Sequence, residues 1–180
     1  TDFSNKDLTQ SIFYFSHLTD SSFENTNLKN SDFSYSTLKN ISFKNSNLEG
    51  VSFRSAGIDN VNFTGANIEN NSFSGINMRH TNLTNMDFKD QRFVNSFIYK
   101  NDLTNTTFEN IDFTGSTIGE NIFTGASFRN SDFSESVIAD HNLSTVDFTG
   151  STFFKTSFYN NSFNGTDFSN MDIKRAKFAL

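Results

Sequence analysis

Cysteine, proline and tryptophan are all missing from this 180-residue chain. Without cysteine there can be no disulfide and no thiolate metal site, so stability must come from packing and backbone pairing. No apolar run approaches the roughly 20 residues of a membrane-spanning helix, and no charged-then-apolar segment resembles a leader, so the chain reads as soluble. Positive charge is scarce: 14 Lys plus Arg stand against 20 Asp plus Glu, a net charge of −6, too few cations for a basic track along nucleic acid. Apolar residues make up only 34%, which with so much Asn, Ser and Thr lies near the composition of disordered chains, but 24 Phe argue for a core.

That core becomes visible when the chain is cut into fives: TDFSN, KDLTQ, SIFYF, SHLTD and so on to AKFAL. The third residue of all 36 blocks, from Phe3 to Phe178, is Phe, Leu, Ile or Met, with 21 Phe and 15 aliphatics. Chance would fill one such register with a probability on the order of 10⁻¹⁷. A period of five fits neither a helix at 3.6 nor an alternating strand at 2.0. The first residue is Ser, Thr, Ala or Val in 24 blocks, which suits a second inward site with little room. The second is Asp, Asn, Ser or Thr in 28 and is expected to face outward. With no proline, corners fall to the last residue, Asn in 14 blocks, Gly in seven and Asp in three, the types that best tolerate positive φ.

A longer period of 20 lies over the shorter one. Phe recurs at 13, 33, 53 and on to 153, while Leu18, Leu38, Ile58, Met78, Ile98, Ile118 and Ile138 form an aliphatic series at the same spacing. Four blocks then complete one coil, and nine coils at about 4.8 Å each would make a rod roughly 43 Å long. The expectation is an all-β solenoid, a single domain over residues 1–180 with no capping helix at either end. The chain begins at Thr1 without Met and already in register, which suggests excision from something longer.

Blocks such as ANIEN, TNLTN, TDFSN and SDFSE fit the pattern of small residue, Asp or Asn, Leu or Phe, polar residue and variable residue, and the whole chain thereby resembles the pentapeptide-repeat proteins. The resemblance implies a right-handed quadrilateral β-helix. For function it implies less: some members of the family protect a type II topoisomerase from quinolones by imitating DNA, and others are scaffolds or effector domains. The topoisomerase-directed members dimerise through a C-terminal helix and often carry inserted loops, and this chain has neither.

Four outward features stand out by position. Phe97 and Tyr99, Thr117 and Gly119, Val137 and Ala139, then Tyr159, form an apolar strip suited to docking a protein, in the first instance a second copy. Thr64, Thr84, Thr104, Thr124 and Ser144 form a hydroxyl ladder, either a result of strand propensity or a surface for ice. Lys29, Glu49, Glu69, Lys89, Glu109 and Arg129 share one column, and Lys39, Asp59 and Arg79 another, which reads as cross-coil charge pairing. Asp112 above Asp132 over Arg92, and Asp147 beside Asp167, make short acidic steps that could imitate phosphates or hold Ca²⁺ but suit solvated carboxylates better. His17, His80 and His141 fall in three different columns, so no nucleophile–base pair, metal cluster or phosphate loop emerges, and neither enzyme activity nor a cofactor is expected. The functional expectation is a self-associating scaffold, by dimerisation or end-to-end stacking. The alternatives are a topoisomerase-directed DNA mimic and, below it, an ice binder.

Overall fold

The computed structural model describes residues 1–179. Among these residues nine short strands run in chain order through one parallel sheet: β1 (His17–Ser22), β2 (Thr37–Ser42), β3 (Gly57–Asp59), β4 (Asn77–Arg79), β5 (Phe97–Tyr99), β6 (Thr117–Gly119), β7 (Val137–Ala139), β8 (Ser157–Tyr159) and β9 (Lys177–Ala179). The register is 20 residues at every step, as in Leu18 to Leu38, Ile58 to Met78 and Ile138 to Phe158. Isolated parallel bridges at the same offset, such as Asn27 to Asn47 and Asp112 to Asp132, hold the remaining walls. The protein is thus an all-β parallel solenoid, and no helix occurs among the described residues. Eight turns separate its nine strands, one fewer than the coil count expected from length. The first coil contributes no strand to the sheet before β1 and joins the coil above it through isolated bridges such as Asp2 to Ser22.

Each block behaves as a very short strand followed by a corner. Alternation sends its first and third side chains inward and its second outward, as at Ser46, Asn47 and Leu48, where the first and third are buried and the second is half-buried. The second residue is more than a polar face. Its side-chain oxygen commonly accepts the N–H two residues on, as Asp32 does from Ser34 (2.8 Å) and Asn62 from Thr64 (2.9 Å), so Asp and Asn cap each corner locally. The last residue adopts positive φ, including Phe15 (56°), Tyr35 (58°), Lys100 (57°) and Arg175 (59°), types that accept it only under tertiary constraint. Thr145, with a β-branched side chain that fits this region worst, is the one described corner that stays out of it.

Inside, rings stack along the rod and meet edge to face across it. Phe73, Phe93 and Phe113 are parallel at 5.1 and 5.5 Å between centroids, whereas Phe73 and Phe88 meet at 74°. One Phe column runs unbroken from Phe13 to Phe153. A second changes place midway: Phe3, Phe23, Phe43 and Phe63 stack in one column, and from Phe88 the aromatic stack continues in the next, with Leu83 above Phe63 and Phe88 above Ile68.

The first-position side chains form the second inward layer and bind the coils together. Ser131, Ser151 and Thr156 donate their hydroxyls to the carbonyls of Phe108, Phe128 and Phe133, 23 residues back, at 2.6–2.7 Å. In one column the small residue is replaced by Asn101, Asn121, His141 and Asn161, and these make a buried polar spine. Asn121 and Asn161 donate to the carbonyls of Ile98 (2.9 Å) and Ile138 (2.8 Å), and each member accepts the backbone N–H of the one below. Every buried amide in such a spine replaces hydrogen bonds to water with bonds inside the rod.

Candidate interaction surface

The outer face of the sheet gathers the apolar strip. Pairing sets Phe97 beside Thr117 and Val137 in one row, and Tyr99 beside Gly119, Ala139 and Tyr159 in the next. Phe97 is 36% exposed and Tyr159 45%, with Val137 and Ala139 half-buried between them. The rings of Phe97 and Tyr99 stack at 5.5 Å, with the Arg79 guanidinium 5.9 Å from the first and the Lys100 ammonium 5.1 Å from the second. Gly119 is buried because the Tyr99 ring lies on it, at 2.8 Å from where a β-carbon would stand, so this glycine makes room for the neighbouring ring. Two exposed aromatics at the ends of a flat apolar floor form a surface of the kind that proteins dock on.

The hydroxyl ladder has a different local chemistry. Thr84 and Thr104 donate their hydroxyls to Asn82 (2.8 Å) and Asp102 (2.7 Å), and the backbone N–H groups of Thr64, Thr84, Thr104 and Ser144 go to the side chains two residues earlier. Thr124 continues the column in the coil above, where the preceding outward residue is Ile122, 54% exposed. Two of the five hydroxyls are therefore already engaged at the corner they help to build.

Several charges are paired across coils. Lys29 meets Glu49 (2.9 Å), Arg92 meets Asp112 (3.0 Å), Lys155 meets Glu135 (2.7 Å) and Lys100 meets Glu120 (3.5 Å). The hydrogen bond and charge of Lys155 hold the Glu135 carboxyl below its usual range. Lys89 pairs with Glu109 (3.9 Å) as its column predicts. Three sequence-based pairings come out otherwise: among the described residues no ion pair joins Lys89 to Glu69; Arg129 joins Asp147 (3.6 Å); Asp59 takes His80 (2.9 Å), while Arg79 binds Asn77 (3.1 Å). Asp112 and Asp132 are bridged through the backbone, but among the described residues no bridge joins Asp147 to Asp167, and no group of three His, Asp or Glu side chains is placed to hold a metal. The carboxyls of Asp147 and Asp167 are both lowered, the first chiefly by the Thr149 hydroxyl and the second chiefly by the Ser169 backbone N–H.

An aromatic cluster near the start of the chain adds a second exposed apolar patch. Phe15 (59% exposed) stacks on Tyr35 at 5.1 Å and meets Tyr14 edge-on at 4.6 Å, with Ile12 at 80% exposure nearby in sequence. Its signal was available: Phe15 and Tyr35 occupy corner positions one coil apart, where Asn or Gly is the rule.

Family models for pentapeptide repeats cover the chain almost end to end, one described as a pentapeptide repeat region over residues 1–73 and one as pentapeptide repeats in eight copies over four stretches from residue 72 to 179. The chain belongs to the pentapeptide-repeat family. No curated protein sequence matches it. Among solved structures, two trypsin-treated forms of QnrB1, a plasmid-mediated fluoroquinolone resistance protein, superpose with TM-scores of 0.64 and 0.61, each at 18% identity over 98% of this chain and 89% of theirs. HetL, a pentapeptide repeat protein involved in heterocyst differentiation regulation in the cyanobacterium Nostoc, gives a TM-score of 0.41 at 14% identity, over 98% of this chain and 73% of its own. At 18% identity the likeness to QnrB1 is one of fold.

Proposed function

We propose that this pentapeptide-repeat protein is a non-enzymatic scaffold, a right-handed four-sided rod that docks a protein on the outer face of its sheet, with a second copy of itself as the first partner. The observation that carries this reading is the strip of Phe97, Tyr99, Val137, Ala139 and Tyr159, apolar residues that strand pairing sets side by side on a mostly polar surface. Docking buries apolar area that the monomer leaves in water, and at about 25 cal/mol per Å² a few hundred Å² supplies several kcal/mol before association entropy is met. The flatness of a parallel sheet suits a self-complementary contact. Cross-coil ion pairs on the other columns support a scaffold over a DNA mimic, because each lysine or arginine interrupts the continuous negative potential that imitation of phosphates needs.

Light scattering coupled to size exclusion tests the proposal on the parent chain and a Tyr99→Glu/Tyr159→Glu variant. A dimer that the two charges convert to monomer supports the strip as the interface. A parent that is already monomeric, or a dimer that survives both substitutions, overturns it.

A further inference from the structure

A crevice of about 820 Å³ parts two neighbouring coils midway along the rod, with residues from Gly65 to Ser72 on its lower wall and from Asn85 to Arg92 on its upper. The hydrogen-bond ladder shows how it forms. On most other coils the rung at this place is made, as from the N–H of Leu28 to the carbonyl of Asn47, Leu48 to Asn67, and Phe108 to Ser127, at 2.7–2.8 Å; among the described residues the rung from Phe148 to Asp167 is missing as well. Among the described residues no such rung joins Ile68 to Asp87 or Asn70 to Lys89, and no bridge pairs Asn67 with Asp87 or Ser72 with Arg92. Among the described residues the rungs from Phe63, Gly65 and Phe73 are absent too, and the coils meet again at the Asn62–Asn82 bridge and at the Gly75 N–H to Val94 carbonyl bond (2.8 Å).

The side chains account for the separation. Two consecutive blocks of the upper coil begin with Met86 and Gln91, where the column is otherwise mostly small, and they stand over Ala66 and Asn71. At the same step the aromatic stack changes columns, so Leu83 replaces a ring above Phe63 and Phe88 adds one above Ile68. Larger residues in a close-packed layer move its neighbours apart.

Two polar groups in the crevice walls lack partners. Asn71 and Gln91 are 7% and 6% exposed, yet the Asn71 Nδ2 donor and the Gln91 Oε1 acceptor make no hydrogen bond. The other half of each amide is satisfied: Asn71 Oδ1 accepts from the Val51 N–H (2.9 Å), and Gln91 Nε2 donates to the Ile68 carbonyl (2.9 Å). That fixes both amide orientations and leaves one buried donor and one buried acceptor. Those two atoms are closed off inside the rod; at the crevice itself, the open N–H groups of Ile68 and Asn70 below and the open carbonyls of Asp87 and Lys89 above complement the alternating C=O and N–H groups of an extended chain. At the mouth, Glu69 and Lys89 are register partners that form no pair with each other.

We propose that this crevice is a peptide-binding site, which takes an extended segment of a partner protein as an added strand between the two coils. The occupant is an extended backbone of about five residues, an ordinary strand length, because opposed strand edges recognise main chain and not a particular side chain. Its inward side chains must be small, since Met86 and Gln91 already fill the depth. This site lies apart from the docking strip, and each proposal stands or falls without the other.

Amide hydrogen exchange on the intact chain, with and without the capped pentapeptide acetyl-Ser-Asn-Ala-Ser-Asn-amide, tests the site. In the free protein the Ile68 and Asn70 amides are expected to exchange at least roughly tenfold faster than Leu48 and Gly50, which make the same rungs one coil below, and millimolar peptide is expected to slow them selectively. A Met86→Ala/Gln91→Ser variant, which restores small residues to the layer, is expected to protect both amides without peptide and to lose the response. Should that variant not fold, Met86→Ala alone removes part of the bulk and is expected to protect both amides in part and to weaken the response. Equal protection at Ile68 and Leu48 in the free protein, no slowing with peptide, or the same slowing in the variant that folds would each overturn the proposal.

Discussion

Acid should weaken this rod through one buried imidazole. His141 is 4% exposed, stacks on Phe123 at 4.4 Å and occupies a place in the polar spine otherwise held by asparagine. Its Nε2 accepts the Asn121 N–H (3.1 Å), which puts the ring proton on Nδ1, where no partner meets it. Burial is the main reason that its pKa falls from 6.5 to about 4, against smaller opposing effects of Asn161 and Asp140. The unfolded chain therefore takes up this proton first. Stability from the neutral ring is complete above about pH 6.5, declines as pH falls, and is fully lost once pH has passed the folded-state value near 4. A gap of about 2.5 in pKa at about 1.4 kcal/mol each makes the whole effect about 3 kcal/mol, of which about 2 is gone by pH 5. His141→Asn is the control, because asparagine does the same work at 101, 121 and 161 and carries no titratable proton. Guanidinium unfolding followed by circular dichroism at pH 7 and pH 5 should show a larger loss in the parent than in the variant, by about 2 kcal/mol. The carboxylates lowered by their corner hydrogen bonds act equally on both proteins and cancel in that difference. Equal losses would refute the reasoning.

Other expectations follow from packing and backbone geometry. Phe113→Ala removes a ring that stacks on Phe93 and Phe133 in the unbroken column, and should cost about 3–5 kcal/mol in the same unfolding experiment. Gly150→Ala places a β-carbon at φ 78° against the Asn130 amide and should destabilise by about 1–2 kcal/mol. Arg92→Ala breaks an exposed pair at 3.0 Å and should cost under about 1 kcal/mol, with an effect that shrinks as salt rises. Gly119→Ala should lift the Tyr99 ring from the sheet, read as a change in tyrosine fluorescence and as weaker self-association if the strip is the interface.

Much of the fold is readable along the chain because each block meets the same environment. One inward centre every five residues and one return every 20 are repeated so often that single exceptions cannot hide the register. Corner chemistry was readable for Asn and Gly but not for Phe15, Tyr35 or Lys100, which follow the left-handed turn because the stacked coils on either side hold it. The apolar strip was legible for the same reason as the core, since a 20-residue period says which outward residues become neighbours. Spacing puts the hydroxyl ladder in one column but could not tell a free hydroxyl from one turned back to the side chain two residues earlier, as at Thr84 and Thr104. Charge pairing was right at Lys29 and Glu49 and went elsewhere at Arg129, since a long side chain chooses among several acids within reach.

Sequence by itself determined the period, the inward columns, the place of each corner and the neighbours of every outward residue, because in a solenoid contacts are set by a constant offset along the chain. Tertiary structure alone decided where that offset fails to bring the walls together. Met86, Gln91 and the change of Phe column are all visible in the residues, but whether such bulk is absorbed, as His141 is by stacking on Phe123, or forces two coils apart depends on how the layers above and below pack. That outcome is a property of volumes in three dimensions, and it leaves one buried atom each of Asn71 and Gln91 without a partner, which periodicity could not foretell.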